Sequence, residues 1–236
     1  MQALRLPDDG TVPTDLRPAL AVAGGVIVHN SWTTAVLAAA DPSQPVVPVA
    51  FQTLPKNLPA LHHVACDRLR AAQLATLRLA GRGRTRIGLI TGGETDSDWG
   101  RPWRDEEAHL GWAAGLAEAG LELGPLLVPG SNEQASARIA AWLTATKPDA
   151  VVLDMDWRSV ALDAAAATCG LRIPEDLAVI GLGDTAWARM RRPGLTSVAF
   201  GLPGLAHLAV RYAGLPRPTR AEIWRAQPVV MARLSD

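Results

Sequence analysis

Nearly all-apolar runs are strung along this chain, with amphipathic segments between them. The runs read GGVIVH, QPVVPVAF, HHVAC, RIGLIT, GPLLVPG, AVVLDM, LAVIGL, TSVAF and PVVMARL. Short runs rich in Val and Ile that lack in–out alternation predict strands buried on both faces. The intervening segments carry helix punctuation. DRLRAAQLATLRLAG opens with Asp67 as an N-cap and closes at Gly81, and acids at the start with glycine at the end are the expected polarity. SNEQASARIAAWLTAT opens with Ser131 and carries Gln134 three residues on, the spacing of a capping box. RPWRDEEAHLGWAAGLAEAG places Pro102 near a predicted first turn and Gly120 at its end, and WRSVALDAAAATCG closes at Gly170. Strand–helix–strand alternation of this kind implies parallel sheets joined by right-handed crossovers, hence an α/β fold. The pattern allows one large sheet or two smaller ones.

Composition narrows the function. The 236 residues are 48% hydrophobic, ample for a core, and Lys+Arg and Asp+Glu both number 23. A chain built mainly to grip phosphate backbones carries a basic excess, and this one does not. Cys66 and Cys169 are the only cysteines, so neither a disulfide framework nor a metal pair can be read. MQALRLPDDG lacks the apolar stretch of a secretion signal, and no run approaches the length of a membrane span. These readings predict a soluble cytoplasmic chain.

Open parallel sheets bind ligands at the carboxyl ends of their strands. Here those ends read HNSW, CDR, GGETDSDWGRPWR, DMDWR and GLGDTAW, and they hold Trp32, Trp99, Trp103, Trp157 and Trp187. Indoles gathered on one rim predict an aromatic-walled cleft. Trp112, Trp142 and Trp224 lie in or near helical stretches and are expected to pack.

The phrase GLRIPEDLAVIGLGD, followed by RRPGLTSV, resembles the LacI/GalR family of bacterial transcription regulators. The resemblance extends back through PDAVVLDMD, HLGWAAGLAEAG and the HHVACDRLR segment, and forward to PVVMARLSD. It implies two doubly wound parallel-sheet subdomains of periplasmic-binding-protein type, linked by three crossovers, with a small-molecule effector, commonly a sugar or purine, held between them. Mapped onto this chain, the first subdomain is expected at residues 1–92 plus 198–220 and the second at 93–197 plus 221–236. QALRLP aligns with the family's second strand, so the first subdomain is expected to be truncated at its N-terminus. The family's helix-turn-helix has no counterpart here; DNA would be a partner only through that absent domain, and no membrane partner is implied. A homodimer is expected.

The resemblance also implies site residues. Asp67, Asp156 and Asp184 stand at family carboxylate positions. The family's helix arginine is replaced by Ala108, and the first aspartate of its paired acids by Gly183. Arg104, four residues before Ala108, is the expected substitute. Carboxylates and indoles together suit a sugar-like ligand. Each acid also has a plainer role, since Asp67 and Asp156 can cap helices and Asp184 can turn a loop. Two rival readings follow from the same residues. GLGDTA matches the glycine spacing of a dinucleotide site, but no acid ends the following strand, TSVAFGLPGL. A transport-type binding protein would share the fold. His29, His62, His63, His109 and His207 show no metal spacing, although His29 ends a strand; no cofactor or metal is implied, nor any catalytic residue.

Overall fold

The computed structural model describes residues 14–29, 33–50, 60–96, 101–103, 106–129, 134–218, 220 and 222–236. The elements run α1 (Leu16–Ala21), β1 (Val26–His29), α2 (Thr33–Ala39), β2 (Val46–Ala50), β3 (His62–Cys66), α3 (Arg68–Gly81), β4 (Ile87–Ile90), β5 (Gly93–Asp96) and β6 (Arg101–Trp103). They continue with α4 (Glu106–Glu118), β7 (Leu126–Leu127), α5 (Ala135–Thr146), β8 (Ala150–Leu153), a 3-10 turn at Asp156–Arg158, and α6 (Ser159–Thr168). The last are β9 (Ala178–Gly183), α7 (Ala186–Met190), β10 (Thr196–Ala199), α8 (Leu202–Ala213), β11 (Glu222–Ala226) and β12 (Val229–Met231). All nine runs read as strands contain strands.

The chain forms two units, residues 1–66 with 201–226, and residues 67–200 with 227–236. The first holds a parallel sheet in the order β1-β2-β3-β11. Leu16 and Leu20 of α1 pack with Val28, Val36 and Val46. Leu205, Ala209 and Tyr212 of α8 are buried, and their spacing makes one apolar stripe. Tyr212 stacks on Trp224 with ring centres 5.0 Å apart.

The second unit holds a six-stranded sheet in the order β12-β10-β9-β8-β4-β7, parallel except for β12. Every residue of β4, β8 and β9 is buried, which explains their unbroken apolar composition. Helix α3 starts as its sequence predicts, with the Asp67 carboxylate accepting the Arg70 N–H at 3.0 Å. It lies close against α4, where a side chain added at Gly111 would meet the Leu69 carbonyl oxygen at 2.0 Å. The Trp112 indole N–H donates to the Ile87 carbonyl. Both Trp112 and Trp142 are buried as expected.

Four expectations need correction. The first subdomain was expected to reach residue 92, but the units divide at 66–67, 200–201 and 226–227. The reason is pairing: β4 bonds to β7 and β8, so α3 and β4 belong to the second unit, whereas β11 bonds to β3 and belongs to the first. Strand β11 itself was not predicted. Pro102 lies in β6 and not in a helix, and α4 begins at Glu106; a residue preceding proline favours extended backbone. Helix α5 begins at Ala135 with Gln134 in the N-cap position, one turn later than the capping-box reading. Ser131 and the QALRLP segment lie outside the described residues.

Candidate functional site

In the second unit β7, β4, β8, β9 and β10 run parallel, so their carboxyl ends share one edge of the sheet. Two polar networks are built there. The first centres on Asp154, which follows β8 and is fully buried. Its carboxylate accepts the Thr91 hydroxyl at 3.1 Å and the Gly92 N–H at 2.7 Å, from the residues that follow β4. It also forms an ion pair with Arg158 through Nε, with Nη2 at 3.4 Å. The spacing of four places the two side chains together. The Arg158 guanidinium in turn lies 4.4 Å from the centre of the Trp157 ring, a cation–π stack. Arg68, at the start of α3, donates to the Asp154 carbonyl at 2.9 Å and lies 5.1 Å from the Phe200 ring centre.

The second network centres on Asp156. This carboxylate, 0% exposed, accepts the Thr185 N–H at 2.7 Å, the Thr185 hydroxyl at 2.9 Å and the Ser197 hydroxyl at 2.6 Å. It joins the end of β8 to the turn after β9 and to β10. Burial pushes its pKa above the ordinary aspartate range; the bonds from Ser197 and Thr185 pull the other way, and nearby Asp184 adds to the rise. Gly181 makes the arrangement possible, because a β-carbon there would stand 2.3 Å from the Asp156 Oδ1. Gly183 has φ +119, a conformation that suits glycine alone. The GLG at the end of β9 is therefore the room and the turn around a buried carboxylate. Asp184 follows with φ 50. Its carboxylate is held by Arg233 at 2.7 Å and Arg189 at 3.3 Å.

The predicted site residues separate on this frame. Asp156, Trp157 and Asp184 sit at the carboxyl edge of the six-stranded sheet. Asp67 caps α3. Trp187 lies on α7 and is 54% exposed. Trp103 ends β6. Trp32, Trp99 and Arg104 lie outside the described residues. Sequence reasoning missed Asp154, Arg158, Thr185, Ser197 and Arg233. The one visible signal was the Asp–x–x–x–Arg spacing in DMDWR. Among the described residues, the three acids at this edge have their oxygens engaged by protein donors. What the edge offers a ligand is guanidinium N–H groups and an indole face.

The sequence profile of the periplasmic binding protein-like domain matches residues 76–214. The chain belongs to that family. Among curated relatives, the periplasmic-binding-protein-like chain is 26% identical over 213 residues to the HTH-type transcriptional regulator DegA of Bacillus subtilis, covering 89% of this chain and 59% of the relative. It is 32% identical over 141 residues to the ribose operon repressor of Haemophilus influenzae, covering 58% of this chain and 41% of the relative. It spans about half the length of the curated relatives it matches. Its fold is shared with the LacI family transcriptional regulator from Enterococcus faecium solved with bound ribose, at TM-score 0.69 and 18% identity, covering 94% of this chain and 81% of that one. Among the described residues no helix is long and apolar enough to cross a membrane.

Proposed function

We propose that this chain is the effector-binding core of a LacI-type transcriptional regulator, and that its effector is a small, sugar-like polar molecule. The observation that carries the reading is the family match over residues 76–214, which spans the strand ends where the polar networks lie. The relatives' names, a ribose operon repressor among them, and the ribose-bound regulator of the same fold support the sugar reading. The Trp157–Arg158 stack suits a ligand with both oxygen acceptors and C–H surfaces. In the parent protein, binding would act by differing affinity for two states of the core, and the response would pass to a DNA-binding domain. The core is proposed to work as a cytoplasmic homodimer and to bind rather than to catalyse. A panel of aldoses, disaccharides, sugar acids, polyols and purines, followed by thermal shift and tryptophan fluorescence, tests this. A true effector at about 100 times its Kd stabilises the fold by roughly 2.7 kcal/mol. A panel that shifts neither signal contradicts the reading.

A further inference from the structure

The Asp154–Arg158 pair has features that packing alone does not explain. The Arg158 side chain is only 2% exposed. Its Nε and Nη2 are taken by Asp154. One face of its guanidinium is taken by Trp157. Nη1 makes no hydrogen bond among the described residues, and it is not one of the polar atoms shut away from solvent without a partner, so it is a donor still open to a ligand. The carboxylate opposite is itself fixed by Thr91 and Gly92, so the arginine is held in one orientation. The pair stands at the carboxyl edge of the sheet, where ligands of such folds bind.

We propose that Arg158 is a ligand-binding residue, that its Nη1 donates to a ligand oxygen beside the Trp157 ring, and that Asp154 sets the site's preference for uncharged carbohydrate over sugar acids and sugar phosphates. This rests on the sugar-binding reading above. The physical reason is charge. A lone guanidinium recruits carboxylate or phosphate strongly. Here Asp154 already neutralises it at ion-pair distance. An anion approaching Nη1 meets the Asp154 charge directly behind the donor and loses most of the attraction. A hydroxyl or ring oxygen loses nothing, because it gains only the hydrogen bond. The indole beside the donor supplies an apolar surface for the C–H face of a sugar ring.

The experiment compares matched ligands that differ in charge, D-ribose with D-ribonate and cellobiose with cellobionate, by isothermal titration on the full chain. Wild type is expected to bind the neutral member of a pair more tightly. Arg158→Met is expected to weaken the neutral ligand by about tenfold or more, the effect of one or two lost hydrogen bonds. Arg158→Lys keeps a cation beside Asp154 but deletes Nη1; it is expected to show the same loss and serves where the Met variant does not fold. Asp154→Asn uncovers the guanidinium charge, and the ratio of acid to neutral affinity is expected to rise at least about tenfold. Circular dichroism establishes that each variant is folded. Folded Arg158 variants that bind the neutral sugar as tightly as wild type overturn the proposal. So does a wild type that prefers the acid, or an Asp154→Asn ratio that does not move. A wild type that binds none of these sugars, nor any other in the wider panel, overturns the sugar-binding reading and this proposal together; binding with unchanged charge preference overturns this proposal alone.

Discussion

Removing the Asp156 carboxylate tests whether this residue is a structural latch. In Asp156→Ala three donors lose their acceptor at once: the Thr185 N–H, the Thr185 hydroxyl and the Ser197 hydroxyl. The hydroxyls can rotate toward other acceptors, but the backbone N–H cannot. Each orphaned buried donor costs about 1–3 kcal/mol. Relief of the carboxylate's own burial, seen in its raised pKa, returns part of that. The expected net loss is about 3 kcal/mol, or roughly 6–12 °C in Tm for a chain of this size. Asp156→Asn keeps an acceptor for Thr185 and is expected to cost about 1 kcal/mol. The pH dependence has a defined sign. A folded pKa above the ordinary 3.8 means that the native state binds the extra proton. This contribution to stability is fully present below 3.8 and is lost as pH rises through the folded pKa. The stability advantage of wild type over Asp156→Asn is therefore expected to shrink across that window. Urea unfolding of the three proteins between pH 3 and 7 measures all of this (roughly the range over which perturbed aspartates titrate). An alanine variant as stable as wild type refutes the latch.

Three further outcomes are expected. Gly111→Ala would force a β-carbon against the Leu69 carbonyl, and separating α3 from α4 is expected to cost about 1–3 kcal/mol by denaturant unfolding. Asp67→Ala removes the cap of α3 and is expected to cost about 1 kcal/mol while leaving ligand affinity unchanged by calorimetry, because its carboxylate is used within the helix. Asp176 is held at about 2 by the Arg172 guanidinium and by the Arg172 backbone N–H, so its support of the pair is present above the ordinary range and is lost as pH falls toward 2; in Arg172→Ala its carboxyl carbon should titrate, by NMR, at a higher pH than in wild type but still below the ordinary value, because the backbone donor remains.

Much of the fold can be read in the chain because burial on both faces leaves a plain mark. AVVL and AVIGL admit little but inner strands, and Gly81 and Gly170 mark where helices stop. Strand β11 left no such mark. Among the described residues EIWRA sits at the edge of its sheet, beside β3 alone, and an edge strand retains charged residues. The division into units was hidden for a related reason. IGLI is equally apolar in either sheet, and only its hydrogen bonds to β7 and β8 decide.

The acids at the strand ends were visible, but their roles were not. A carboxylate facing a ligand and one consumed by the protein look alike in sequence. The partners of Asp156 lie 29 and 41 residues further along, and no local pattern connects them. Asp154 and Arg158 were closer to hand, four residues apart. The tryptophan between them drew attention to the indole, and the pair on which it stacks went unread. Asp67 realises the plainer of its two readings, the helix cap.

The carboxyl edge of the six-stranded sheet, around Asp154, Trp157 and Arg158, is the proposed seat of the effector. A crystal structure of the chain with the tightest-binding sugar tests it most directly. The expected result is a ligand oxygen within hydrogen-bond distance of Arg158 Nη1 and a C–H face against the Trp157 ring, with Asp156 still bound to Thr185 and Ser197. A sugar seated away from these strand ends, with Arg158 and Trp157 untouched, contradicts it.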